Sequence, residues 1–149
     1  MAKDMESTLV QLAEALTGVL NSPPEGAFSQ ALRAHRTYNP EYDLKERKEL
    51  VTSVVPRKRD WTRESRVEVA EELQIDVAVQ RKLKDCTPSE IDPLIALVEE
   101  IVAYFRKNPA VGPAVFVSAD ANPVYSQEHL QQFRQFTAVT TLTFKMRYA

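Results

Sequence analysis

The clearest pattern in this chain is an alternation of apolar and polar side chains close to its C-terminus. From Phe136 to Tyr148, mostly apolar even positions alternate with odd positions that carry mainly Thr, Lys and Arg. This period of two predicts a half-buried strand with one face on a core. At about 3.3 Å per residue the stretch would span roughly 43 Å, far more than a usual strand. We therefore expect its surplus length to bend, to project as a ribbon or to pair with a neighbouring subunit.

A second long alternation places apolar side chains at most odd positions from Val67 to Leu83. A helix over 64–73 is an alternative, but the parity of the apolar positions favours a strand. The β-branched segment 50–55 predicts a shorter strand that Pro56 ends. These two strands are expected to form a hairpin around a loop at 57–63.

Weaker signals predict the remaining short elements. A loose alternation over 28–38 predicts a strand, and the residues at 39–43 read as a turn. Residues 114–118 predict another short strand before a second turn. Ser126 is then expected to cap a short helix over 127–132, which leads into the final strand.

The longest predicted helix has two candidate starts. A capping box that begins at Thr87 would place Pro93 inside the helix, where proline clashes with the preceding turn. Asp92 as the N-cap would instead put Pro93 at the first helical position. We therefore expect a turn at 88–91 and a helix over 93–107.

The first helix completes the predicted fold. Apolar side chains three and four residues apart predict it over 9–20, and consecutive prolines end it within 21–26. The order is then helix, three strands, helix, strand, short helix, strand. This order favours a single α+β domain over residues 1–149, an α/β two-layer sandwich. Its sheet is expected to be mainly antiparallel with long strands, and two principal helices are expected to pack on one face.

Composition narrows the class of protein. The chain has 149 residues, 44% of them apolar and 27% charged, which is ordinary for a soluble domain. No apolar run approaches the roughly 18 residues of a membrane span, and residues 1–6 do not resemble a signal peptide. Cys86 is the single cysteine, which excludes an internal disulfide and suits a reducing compartment. A net charge of −2 argues against a general nucleic-acid binder.

Residues for common catalytic and cofactor sites are sparse. Three glycines form no phosphate-binding loop, and no G-x-S-x-G motif is present. His35 and His129 lack the spacing of metal ligands and are interpreted as surface or structural histidines. Cys86 follows Asp85, and an acidic neighbour disfavours the reactive thiolate. The sequence therefore predicts no enzyme, no cofactor and no metal site.

One basic segment is a candidate contact surface. Residues 57–63 set four cationic side chains and a tryptophan against one aspartate, and an acidic stretch follows at 64–76. Trp and Arg are enriched at protein interfaces, so contact between copies is the favoured interpretation. A solvated loop and a nucleic-acid contact are the alternatives. Two cations on the polar face of the last strand complete the candidate interface residues: Arg57, Lys58, Arg59, Trp61, Arg63, Lys145 and Arg147.

Six segments together carry a resemblance to a known family: Arg36 to Leu44, Val54-Val55-Pro56-Arg57 with the tryptophan after it, Ile75 to Leu83, Asn122 to Tyr125, Glu128 to Leu130, and Phe136 to Phe144. They resemble the small neck and tail-completion proteins of long-tailed bacteriophages, and most of all the tail terminators. The resemblance covers about residues 33–145 and consists of strands and turns rather than catalytic residues.

This resemblance implies a structural protein of the virion, assembled in the host cytoplasm. Such a subunit would form a hexameric ring at the head-proximal end of the tail tube, stop tube polymerisation and present a surface to head-completion or connector proteins. Double-stranded DNA would pass through the lumen without sequence-specific contact, and no membrane would be involved. The alternatives are another neck component, such as a connector or head-completion protein, and a nucleic-acid-binding module that uses residues 57–63.

Overall fold

The structure, a computed structural model, describes residues 7–148, so the prediction about a signal peptide lies outside the described residues. It contains three helices within this range: α1 (Thr8–Asn21), α2 (Pro88–Lys107) and α3 (Gln127–Phe133). The strands are β1 (Ala34–Arg36), β2 (Val51–Arg63), β3 (Val69–Lys82), β4 (Ala110–Val111), β5 (Ala114–Asp120) and β6 (Gln135–Tyr148). The α+β class predicted from the sequence is confirmed.

All six strands form one sheet in the order β1-β2-β3-β6-β5-β4. The sheet is mixed, because β1 runs parallel to β2 while the other four pairs are antiparallel. A parallel pair needs a long connection that returns the chain to the same end of the sheet. Residues 37–50 form that connection without a helix of their own. The prediction of a mainly antiparallel sheet was therefore wrong, since β1 pairs with β2 in parallel and makes the sheet mixed.

The core lies on one face of the sheet. Alternate residues of β3, such as Leu73 and Ile75, and alternate residues of β6, such as Leu142 and Phe144, point into one buried cluster. Both α1 and α2 place apolar side chains in the same cluster: Leu12, Leu16 and Leu20 from α1, and Leu94, Leu97, Ile101 and Phe105 from α2. We call this side of the sheet the core face and the other side the back face.

The longest strands continue past this core. On β3 and β6, Leu73 and Phe144 are the last members of the buried cluster before the hairpin end. From about this point to the hairpin turn, β2, β3 and β6 stay paired as a ribbon of residues 57–63, 69–74 and 143–148. β5 pairs along its edge only as far as Lys145. The strands β3 and β6 were predicted within about two residues, and projection as a ribbon was one of the expected outcomes. The helical alternative for 64–73 was wrong.

The strand predicted at 50–55 is present as the start of β2, but Pro56 does not end it, so the predicted loop at 57–63 was wrong. The carbonyl of Val54 accepts a hydrogen bond from the N–H of Thr37 at 3.0 Å, on the β1 side of β2. Backbone groups alternate sides along an antiparallel strand, so the Pro56 nitrogen faces that same side, past the end of β1. No ladder hydrogen bond is lost there. A bulge follows between Pro56 and Lys58, and the actual turn lies at 64–68.

The start of α2 was also predicted wrongly, since the helix begins at Pro88 and contains Pro93. The Glu90 carboxylate accepts hydrogen bonds from the backbone N–H groups of the preceding loop at 2.7 to 3.0 Å: Lys84, Asp85 and Cys86. These three bonds fix the first turn ahead of Pro93. The structure therefore has helix where a turn at 88–91 was expected.

The remaining short elements agree in part with the predictions. The helix α3 is present and its N-cap Ser126 accepts from the N–H of His129 at 3.2 Å, as predicted. The strand predicted over 28–38 contracts to Ala34–Arg36. The two-residue strand β4 was not predicted, and it turns into β5 through Gly112, whose φ of +55° suits glycine.

Candidate interaction surface

The structure brings all seven predicted interface residues onto the ribbon. Five of them lie on β2, and Lys145 and Arg147 lie on β6, with β3 between the two strands. These residues form part of a sheet rather than a loop. Their side chains therefore divide between the two faces of the ribbon, which changes what each can contact.

Most of the charges on the ribbon are paired within the chain. Arg57 lies on the back face, where its guanidinium is 3.4 Å from Asp76 and 3.0 Å from the Thr141 hydroxyl. Lys58 lies 3.2 Å from Asp60. Arg147 donates to Glu64 at 2.9 Å, and this hydrogen bond lowers the pKa of Glu64. The adjacent basic and acidic stretches thus neutralise each other across strands.

A buried carboxylate lies at the base of the ribbon. Glu71 is 1% exposed and forms an ion pair with Arg59, which itself lies over the Trp61 ring with 4.6 Å from Cζ to the ring centroid. In the strand register Trp61 is directly opposite Glu71 on the core face. Arg59 is therefore a structural partner of Glu71. Glu71 belongs to the acidic stretch at 64–76, yet its side chain is buried on the core face rather than exposed to solvent.

Two predicted residues remain available at the surface. Trp61 is 58% exposed although it is the largest apolar side chain of the ribbon. Arg63 follows it on the same face and donates only to the carbonyl of Arg66, at 3.4 Å. Within residues 7–148, Arg63 takes part in no ion pair. Lys145 lies between Glu72 of β3 and Val115 of β5 in the register.

A groove between α2 and β5 is a second surface, which the sequence did not predict. It has a volume of about 450 Å³ and is lined mainly by apolar side chains of α2, β5 and the turn after β5: Ile95, Val98, Val102, Ala119, Ala121 and Val124. Thr140 of β6 closes its floor, and Glu99 and Arg106 stand at its rim. These residues come from four separate segments, so no local pattern in the sequence signals the groove.

A buried polar cluster lies on the back face beneath α3. Gln135 and Thr137 of β6 surround His129, whose Nδ1 is 2.8 Å from the Thr137 hydroxyl oxygen. His35 lies apart, with Nε2 3.5 Å from the Ser53 hydroxyl oxygen. Among residues 7–148 no group of three or more His, Cys, Asp and Glu side chains is arranged to hold a metal ion. No helix in that range is long and apolar enough to cross a membrane.

The free energy of unfolding is expected to fall in mild acid because of His129. Burial lowers the pKa of this imidazole, although Glu128 and Asp43 oppose the shift. An unfolded histidine has a pKa near 6.5, so below that pH the unfolded chain binds a proton that the folded chain resists. Stability is therefore fully present above about pH 6.5 and declines as the pH drops through that value.

Urea unfolding at pH 7.5 and at about pH 5 checks this expectation. The variant His129→Gln should lose part of the decline between the two pH values. The matched control His35→Gln replaces an exposed histidine and should keep the decline of the natural chain. An equal decline in all three proteins would contradict the assignment to His129.

Comparison with known proteins identifies no family for this chain. No protein-family model matches the chain, and no curated protein matches it. The functional conclusion therefore rests on the fold, the ribbon, the groove and the resemblance described above.

Proposed function

We propose that this chain is a structural protein of a bacteriophage virion, a tail terminator that forms a ring at the head-proximal end of the tail tube. In this role it stops tube polymerisation and joins the tail to a head-completion or connector protein. The observation that carries the proposal is the ribbon, which extends past the core and exposes Trp61. Exposed tryptophan is typical of residues that dominate protein interfaces.

The subunit architecture supports an assembly role. In this proposal α1 and α2 are the two principal helices of a two-layer subunit and form its helical layer, since both supply side chains to one core with the sheet. In the sheet order, Trp61 on β2 and the groove beside β5 are separated by the central strands β3 and β6. Surfaces placed in this way allow each copy to contact two neighbours, as a closed hexameric ring requires.

A nucleic-acid-binding role receives less support. Phosphate binding requires cations that are free to neutralise phosphates. Arg57, Arg59 and Arg147 each have a carboxylate partner on a neighbouring strand or turn. We therefore propose that DNA passes through the ring without sequence-specific contacts to these side chains.

Tail tubes assembled from the tube protein of the same genome provide the direct test. When the purified chain is added during polymerisation, negative-stain images are expected to show a ring at one end of each tube and a limited tube length. Tubes assembled without the chain serve as the control and should vary widely in length. Binding to portal complexes instead of tubes would assign the chain to another neck component. Failure to bind either structure would refute the proposal.

A further inference from the structure

The groove between α2 and β5 is built to receive a large side chain. Seven of its ten lining residues are aliphatic, and Val124 in the lining and Val117 beside it are about half exposed. Burial of apolar surface is the main favourable term in association. An occupant would therefore cover valine side chains that now contact water.

The floor of the groove carries one unpaired polar atom. Thr140 is 3% exposed, and its hydroxyl oxygen has no hydrogen-bond partner among the described residues. A buried hydroxyl without a partner costs free energy that a donor reaching it would recover. The oxygen is covered in the isolated chain, so the neighbouring side chains must shift slightly to admit that donor. The best occupant is thus an apolar body that also carries one hydrogen-bond donor.

The rim adds a charge requirement. Glu99 is exposed at the edge of the groove and takes part in no ion pair within residues 7–148. An occupant with a cation close to its apolar body would complement this carboxylate. Arg106 also stands at the rim, seven residues after Glu99 and so about 10 Å further along α2. At the Glu99 end, the groove therefore favours three properties together: apolar area, a donor and a neighbouring positive charge.

The chain itself contains a residue with these three properties. Trp61 is its only tryptophan, and it is exposed on the ribbon. Its indole ring buries about 150–250 Å² and carries one N–H donor. Arg63 lies two residues further along the same face and has no carboxylate partner among the described residues. Trp61 cannot bind in the groove of its own chain, because β3 and β6 separate β2 from β5 in the sheet.

We propose that Trp61 of one copy binds in the α2–β5 groove of the next copy, with its indole N–H donated to Thr140 and with Arg63 paired to Glu99. This contact would be the subunit interface of the proposed ring. Only the number of copies in that ring rests on the proposed function. The two halves of the contact are different surfaces, so each copy offers a ribbon to one neighbour and a groove to another. Repetition of the contact produces a head-to-tail assembly.

The single tryptophan reports on this contact directly. As the concentration of the natural chain rises into the millimolar range, Trp61 emission is expected to shift to shorter wavelength, in step with an increase of mass in sedimentation velocity. Trp61→Ala should weaken self-association at least about 30-fold, as for an interface hot spot. Ala119→Arg, which fills the groove from an exposed position, should abolish the emission shift. The circular dichroism spectra of both variants should match that of the natural chain, which would show that both remain folded.

Charge reversal distinguishes this specific contact from nonspecific association. Arg63→Glu and Glu99→Arg should each weaken self-association, because each places like charges together. The double variant Arg63→Glu/Glu99→Arg should restore much of the lost affinity. Lys145 was a candidate contact residue, but it lies on the back face of β6, on the opposite side of the sheet from Trp61 and Arg63. Lys145→Glu is therefore the matched control and should leave self-association within a few-fold of the natural chain.

Mixing two defective variants tests the head-to-tail geometry. Trp61→Ala retains the groove and Ala119→Arg retains the tryptophan, so an equal mixture should form dimers and nothing larger. The inference is overturned if the natural chain stays monomeric with unchanged emission, if the double reversal restores nothing, or if the mixture assembles like the natural chain. Self-association through this contact without capping of tail tubes would keep the inference and refute the tail role.

Discussion

Replacing Gln135 with leucine is expected to lower the free energy of unfolding by about 3–5 kcal/mol, since several buried polar groups lose their partners together. The Gln135 side chain is 0% exposed. Its oxygen accepts from the N–H of Leu44 at 2.8 Å, and its nitrogen donates to the carbonyl of Tyr42 at 3.0 Å and to Thr137 at 2.9 Å. Leucine fills a similar space and restores none of these bonds.

Urea denaturation measures this loss, and Gln132→Leu is the matched control. Gln132 lies three residues earlier, on the exposed side of α3, so the same change there should alter stability by less than about 0.5 kcal/mol. Hydrogen exchange should also show that residues 37–50 open first in the Gln135 variant, because Gln135 holds that connection on the back face. Equal stability of the two variants would show that the Gln135 bonds contribute nothing.

An element can be predicted from the sequence when its own residues determine its structure, without contacts from distant segments. The strands β3 and β6 were recognised because each carries its own alternation, with one face on the core and one away from it. The helix α1 was recognised for the same reason, through its buried stripe of leucines. These patterns survive without knowledge of the neighbouring elements.

The errors arose where the cause was another segment. Pro56 reads as the end of a strand, and only the short length of β1 shows that its missing N–H faces open space. Pro93 reads as the start of a helix, and only the bonds from Glu90 to the preceding loop explain the earlier start. The parallel pairing of β1 likewise depends on where the connection 37–50 returns the chain.

The candidate contact residues stay a prediction, and the structure changes what their side chains can contact. Residues 57–63 do project from the core, and Trp61 is exposed. The pairing of Arg57 and Arg59 with carboxylates of β3 could not be deduced without the register of the hairpin. The groove could not be deduced at all, because four segments meet to form it.

The ion pair between Arg59 and Glu71 carries the second large expectation, a destabilisation of about 2–4 kcal/mol in Arg59→Met. Removing the guanidinium leaves the Glu71 carboxylate, which is 1% exposed, without that counter-charge. Methionine keeps much of the apolar stem, so the loss reports on charge more than on packing. The ribbon should open before the core does, because Arg59 and Glu71 join two of its strands at its base.

A double-mutant cycle with Glu71→Gln isolates the pair, and the natural chain, both single variants and the double variant are compared by urea unfolding. Neutralising Glu71 should make the Arg59 substitution much less costly, since no buried charge remains to be paired. Arg63→Met is the matched control on the same face and should change stability by less than about 0.5 kcal/mol. Additive single effects would contradict the pairing. A strongly coupled cycle would instead show that the pairing of Arg59 with Glu71 stabilises the ribbon.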